Sequence, residues 1–120
     1  MNKNTESTRY YSNLQESYIA KKFNGQVSPN SGASKFTKSD VILKKASMSV
    51  ECKTSMTEKK SFSIQKEWLD KMRKEAWENR LSNACLAISF SPEGNENYFV
   101  IDEKLFAFLV EKLEEEVENG

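Results

Sequence analysis

The sequence predicts an α/β domain in which helices flank a small mixed β-sheet. Three observations predict it: a continuous apolar run at 84–90 (ACLAISF), two short alternating segments before it, and amphipathic stretches on either side. The apolar run is typical of a central strand that is covered on both faces. Alternation at every second residue is typical of a strand, and a period near 3.6 residues is typical of a helix. Since the chain has 120 residues, a single domain over 1–120 is expected.

The expected elements follow the order α-β-β-α-β-β-α. They are a helix at about 7–23, strands near 39–44 and 47–53, a helix at roughly 63–80, strands at 84–90 and 98–101, and an acidic helix at about 103–118. Asn24-Gly25 should end the first helix. Ser63 and Asp102 are the expected N-caps of the second and third helices. Residues 25–37 are expected to form a loop because they are rich in Gly, Ser and Asn.

Composition excludes several function classes. The chain has no histidine, which excludes histidine acid–base catalysis, Ser-His-Asp hydrolysis and the usual zinc hydrolase sites. Cys52 and Cys85 lie in apolar stretches and are expected to be buried free thiols. No apolar run is long enough to span a membrane, and the first residues lack the apolar core of a secretory signal. A cytoplasmic protein without a membrane partner is therefore expected.

Charge is distributed unevenly along the chain. Residues 1–75 carry 15 Lys and Arg against 8 Asp and Glu, whereas residues 76–120 carry 3 against 10. A basic first part can follow a phosphate backbone, while an acidic end stays solvated or faces a partner. An ordinary charged surface is the alternative interpretation.

The two predicted strands at 39–44 and 47–53 carry the candidate chemistry. A tight turn at Lys45-Ala46 would fix their register. The opposed pairs would then be Val41 with Val50, Leu43 with Met48, and Asp40 with Glu51. Asp40 would face Glu51, and Lys53 would project from the same face as Glu51 because alternate strand residues share a face.

Two facing carboxylates repel each other unless a positive charge lies between them. A divalent cation removes the repulsion, and Mg²⁺ favours carboxylate ligands while it keeps several waters. Lys53 could orient the attacking water or stabilise charge on a phosphate. The alternative is a solvated hairpin face with an incidental pairing of Glu51 and Lys53.

Glu16 falls on the apolar stripe of the first helix, with Ile19, Ala20 and Phe23. A buried carboxylate needs a positive partner or a metal ion. A boundary position from which the carboxylate reaches water remains the alternative.

These residues resemble the PD-(D/E)xK nuclease superfamily. The motif reads Ser39-Asp40-Val41 and then Glu51-Cys52-Lys53, with Ser39 in place of the usual proline. Within the superfamily, the chain is most similar to small Holliday junction resolvases of archaeal and phage type. The segments that carry this likeness are the helical Glu16, SGASKFTKSDV (31–41), VECKTS (50–55) and SFSIQKEWLDKMRKEA (61–76), within about residues 7–90.

The resemblance implies a restriction-endonuclease-like core and a metal-dependent catalytic site. It implies that Asp40, Glu51 and Glu16 ligate Mg²⁺, with Mn²⁺ as a substitute, that the backbone carbonyl of Cys52 adds an oxygen, and that Lys53 is the catalytic lysine. No small-molecule cofactor is expected.

Residues expected to contact DNA come from three sources. Ser31 matches a loop serine of resolvase-like enzymes, and Gln65 and Lys66 begin the second helix, where anions are favoured. For Gln65 and Lys66, plain surface polarity is the alternative. The lysines that could hold the phosphate backbone without reading its sequence are Lys21, Lys22, Lys35, Lys38, Lys59 and Lys60.

The expected function is metal-dependent hydrolysis of DNA phosphodiester bonds, and specifically resolution of four-way junctions in DNA recombination and repair. The resemblance implies a homodimer, because a junction resolvase must make two matched incisions. Three alternatives remain: a restriction-like or repair endonuclease of the same fold, a catalytically silent DNA-binding module, and a protein-interaction domain that works through its acidic last helix.

Overall fold

A mixed five-stranded sheet forms the centre of the protein. The computed structural model describes residues 3–28 and 39–120, with side chains from residue 9 onward. Within these residues the elements are α1 (Lys3–Lys22), β1 (Gln26–Val27), β2 (Val41–Leu43), β3 (Met48–Thr54), α2 (Lys66–Glu78), β4 (Asn83–Ser89), β5 (Asn97–Val100) and α3 (Glu103–Asn119). The strands lie side by side in chain order. Because β3 and β4 are parallel and the other neighbours are antiparallel, the predicted α/β class with a mixed sheet is confirmed.

The hairpin of β2 and β3 has the predicted register. Val41 lies opposite Val50, and Leu43 lies opposite Met48. The turn between them is a short 3-10 helix, Lys44–Ala46, and Ser47 closes it in the left-handed region with a φ of 49°. This register brings the residue before β2, Asp40, to the side of Glu51 and Cys52.

Alternation along β4 divides the core into two layers. Cys85 and Ala87 pack with Ile19 of α1, whereas Leu86 and Ile88 pack with Met72 of α2. The two helices therefore cover opposite faces of the sheet, and the apolar run of β4 is covered on both sides as expected. Cys52 and Cys85 are free thiols as predicted, and Cys85 is buried whereas Cys52 is only partly buried.

The structure corrects three details of the sequence prediction. First, the segment expected to be a loop contains β1, which pairs with Val41 and Ile42 of β2, so the order is α-β-β-β-α-β-β-α. Backbone hydrogen bonds at a sheet edge form β1, and two residues are too few to show a side-chain pattern.

The second and third corrections concern the start of α2. The helix begins at Lys66, with Gln65 rather than Ser63 at its N-cap and no side-chain cap hydrogen bond. Phe62 packs against Trp68 and Phe90, which holds the preceding chain outside the helix. Ile64, expected in the apolar stripe of this helix, consequently lies before it and is exposed.

The last helix starts where the sequence predicts. Asp102 caps α3, because its side chain accepts a hydrogen bond from the N–H of Leu105 at 2.9 Å. Leu105 is also the one buried residue of α3. Among the helices that the structure describes, none is both long and apolar enough to cross a membrane.

Candidate active site

Asp40 is held against β3 by the backbone. The N–H of Cys52 donates a hydrogen bond to Oδ2 of Asp40 at 2.8 Å. Burial raises the pKa of Asp40, although this hydrogen bond and the nearby Lys53 and Lys71 act in the opposite direction. The carboxylate is thus fixed beside Glu51, as the register predicts.

Glu51 is a buried carboxylate at the middle of β3. It is 4% exposed, and among the described residues its Oε1 has no hydrogen-bond partner. Its Oε2 lies 3.7 Å from Nζ of Lys71. Burial, with the charge of Asp40 as the next cause, raises the pKa of Glu51 to about 8. A buried carboxylate with a raised pKa is stabilised by a bound proton or by a nearby cation.

Glu16 approaches the same position from α1. Burial raises the pKa of Glu16 to about 7, and the charge of Asp40 is the second cause. Asp40, Glu16 and Glu51 all raise the pKa of Cys52, whose own burial is the main cause. Glu16 and Glu51 therefore each lie within electrostatic reach of Asp40, from opposite faces of the sheet.

Lys53 lies at the end of this group. Its ammonium group is 4.6 Å from the centre of the Trp68 ring, a cation–π contact. Its charge lowers the pKa of both Asp40 and Glu51. Asp40 is thus the centre of the group, because Glu51, Glu16 and Lys53 each lie within electrostatic reach of it.

Two further charged residues, Glu75 and Lys71 of α2, belong to the site but were missed from the sequence. Glu75 is 3% exposed, and its charge raises the pKa of Glu51. Lys71 is half-exposed and lies 3.9 Å from Glu75 as well as near Glu51. The signal for Glu75 was present, because it lies three residues after Met72 on the apolar stripe of α2.

Buried hydrogen bonds also position the site. The hydroxyl of Ser49 donates to Ser39, which also accepts from Nδ2 of Asn79 at 3.1 Å. Ser39, the residue before Asp40, is thus bonded to Ser49 of β3 and to Asn79, the C-cap of α2. Proline could not make these hydrogen bonds because it has no hydroxyl group. On the other face, Nε2 of Gln15 donates to the carbonyl oxygen of Lys53 at 3.1 Å.

The acids fit a hard cation that takes few protein ligands. Within residues 3–28 and 39–120, no three Cys, Asp or Glu side chains lie close enough to enclose a metal ion. Mg²⁺ needs only one or two carboxylates because it keeps several waters. The unpartnered oxygen of Glu51 beside Asp40 suits such an ion. The carbonyl of Cys52 points to the Asp40 side of β3, because the N–H and C=O of one strand residue point the same way.

The residues expected to contact DNA are placed as follows. Lys59, Lys60 and Gln65 line one hollow with Trp68, next to Lys53. Lys66 forms an exposed ion pair with Asp70 at 2.6 Å. Lys21 and Lys22 are exposed in the last turn of α1. Ser31, Lys35 and Lys38 lie outside the described residues.

Comparisons with known proteins identify no relative of this chain. No family model, curated protein or solved structure matches it.

Proposed function

We infer that the protein is a metal-dependent nuclease that hydrolyses DNA phosphodiester bonds. The observation that carries this proposal is the position of Asp40 beside Glu51 on the β2–β3 hairpin, with Lys53 within electrostatic reach of both acids. The buried Oε1 of Glu51 has no hydrogen-bond partner among the described residues. A buried polar atom without a hydrogen-bond partner calls for an explanation, and a bound cation would supply one.

Each residue has a role that its position supports. Asp40 and Glu51 would hold Mg²⁺ or Mn²⁺, with Glu16 and the backbone carbonyl of Cys52 as further candidate ligands. The ion would supply Lewis-acid stabilisation of charge on the phosphate. Lys53 carries the positive charge that stabilises the transition state, and Trp68 holds its ammonium group in place.

Glu75 and Lys71 adjust the acids from α2. Lys71 lies within ion-pair distance of both Glu51 and Glu75, and so offsets part of their repulsion. Because its side chain is half-exposed, Lys71 could also contact a phosphate.

The resemblance to junction resolvases supplies the substrate in this proposal. It places the restriction-endonuclease-like core on the hairpin, α1 and α2, and it gives four-way DNA junctions as the substrate of a homodimer. The mixed sheet with α2 as the crossover between β3 and β4 is compatible with that core.

The decisive experiment compares cleavage of a synthetic four-way junction with cleavage of linear duplex of the same sequence, in Mg²⁺. Paired nicks in the junction alone would support resolution, and equal cutting of both would favour a restriction-like or repair nuclease. Binding without any cutting would favour the catalytically silent DNA-binding module.

Asp40→Asn should lower the cleavage rate at least about a hundredfold, because it removes a charge that holds the ion. DNA binding in Ca²⁺ should change little. Asp102→Asn is the matched control: it makes the same chemical change at the cap of α3, where asparagine still caps a helix. Equal activity of the two variants would contradict the proposed site.

A further inference from the structure

A row of aromatic rings leads away from the candidate catalytic lysine. Trp68 contacts Lys53, and Phe62 lies edge-on to Trp68 with the ring centres 6.4 Å apart. Phe90 follows at 5.9 Å from Phe62, and Tyr98 follows at 5.8 Å from Phe90. We call this surface, Phe62, Trp68, Phe90 and Tyr98 with Lys59 and Lys60, the aromatic cleft.

The aromatic cleft contains two adjoining hollows. The inner one, about 500 Å³, is lined by Phe62, Trp68, both lysines and the polar side chains beside them, with no acid. The outer one, about 790 Å³, shares Phe62 and the lysines and extends over Phe90 and Tyr98. Two acids, Glu58 and Glu96, line only the outer hollow. Positive charge is therefore concentrated at the end of the cleft nearest Lys53.

The ring of Tyr98, the outermost of the row, contributes little to the packing of the domain. It is 57% exposed, although it contacts the ring of the partly buried Phe90. An exposed apolar surface rimmed by polar groups is characteristic of a binding site. Hollows of this size hold a small planar group but exclude a duplex, in which the bases are stacked inside.

We propose that the aromatic cleft binds unpaired nucleotides of the DNA substrate, an inference that rests on the nuclease function above. Bases lie against the rings, which offer sequence-independent stacking, and Lys59 and Lys60 pair with the phosphates. The strand then continues past Trp68 towards Lys53 and the acids. The cleft thus selects DNA in which bases next to the cut are unpaired.

The test measures binding without cleavage, in Ca²⁺. The probes are a fluorescein-labelled duplex with an oligothymidine tail and the blunt duplex of the same sequence, followed by fluorescence anisotropy. Wild-type protein should bind the tailed probe more tightly. Tyr98→Ala should weaken binding of the tailed probe about tenfold with little effect on the blunt probe, and Tyr98→Phe should retain the preference because it keeps the ring.

Trp77→Ala is the control for loss of an exposed aromatic ring, since Trp77 is 79% exposed and lines neither hollow of the cleft. A double Lys59→Gln, Lys60→Gln variant should reduce the salt dependence of tailed-probe binding. The proposal is overturned if wild-type protein shows no preference for the tail, or if Tyr98→Ala behaves as Trp77→Ala does.

Cleavage in Mg²⁺, measured in parallel, separates this proposal from the nuclease function. A tail preference that depends on Tyr98, in a protein that cuts no DNA, would support the cleft and contradict the nuclease. Cleavage without a tail preference would support the nuclease and overturn the cleft.

Discussion

Glu51 shows how strongly one residue depends on its surroundings. Strand alternation directs its side chain towards α2, into a layer that also contains Leu86 and Met72. Near it lie Glu75 and Lys71 of α2 and Asp40, the residue before β2. The energetic cost of a carboxylate at this position is a reason to expect a cation beside it.

The protonation of Glu51 and Glu16 predicts a pH-dependent stability of the metal-free protein. Their pKa values are raised from 4.5 to about 8 and about 7. Above pH 4.5, the folded protein retains protons that the unfolded chain releases, so the free energy of unfolding falls as pH rises towards 8. Melting temperatures in EDTA should decrease across this window, and Mg²⁺ should oppose the decrease at the alkaline end.

Glu51→Gln should flatten this decrease because it removes the larger shift. Glu93→Gln, which changes an exposed glutamate, should leave the pH profile as it is in the wild type. A melting temperature that rises between pH 4.5 and 8, or profiles that run parallel in all three proteins, would contradict the prediction.

At the scale of elements, the hairpin and α3 are stabilised in different ways. The hairpin is central, because β2 packs on α1 and β3 lies between β2 and β4. In α3, Leu105 alone is buried, so this helix depends on local interactions such as its cap. An isolated helix of this length is only marginally stable in water.

Removal of the cap should therefore loosen α3 specifically. Asp102→Ala should cost about 1 kcal/mol and increase hydrogen exchange along α3 more than along β3 and β4. Asp102→Asn should preserve protection, because its side-chain oxygen can still accept the hydrogen bond from Leu105. Uniform loss of protection throughout the protein would show that the cap acts on the whole fold instead.

At the scale of the whole molecule, the uneven charge and the exposed face of α3 suggest how copies associate. One stripe of this helix exposes four large apolar side chains: Phe106, Leu109, Leu113 and Val117. The helix itself is acidic, whereas the described part of α1 exposes Tyr10, Leu14 and Tyr18 among basic residues. These two faces are complementary in charge, which favours contact between α3 of one copy and α1 of another over pairing of two acidic helices.

The proposed homodimer can be tested at this stripe. Leu113 is 66% exposed, so Leu113→Glu should leave the fold intact and shift the mass measured by light scattering from dimer to monomer. Ala107→Glu adds the same charge to α3 outside the stripe and should remain dimeric. A monomeric wild type would contradict the homodimer, and a dimeric Leu113→Glu variant would exclude this stripe as its interface.

The sequence by itself determined the α/β class, the register of the hairpin and the capping of α3. These features follow from local rules: a strand alternates with a period of two, so one correct turn aligns Asp40 with Glu51. Helical spacing also aligned Glu16 with Ile19 and Ala20, which are buried, but the sequence left open whether the carboxylate itself is buried or reaches water.

Only the tertiary structure decided which other residues join the site. Lys71 and Glu75 reach Glu51 because the crossover helix returns over β3, and no local pattern states where a crossover packs. The same holds for Gln15. Its side chain is buried and donates a hydrogen bond to the carbonyl oxygen of Lys53, which lies 38 residues later in the chain. β1 left no sequence signal for a related reason, because edge pairing through backbone groups makes no demand on side chains. Contacts between distant segments depend on how whole elements pack, whereas the periodicities of a sequence describe one element at a time.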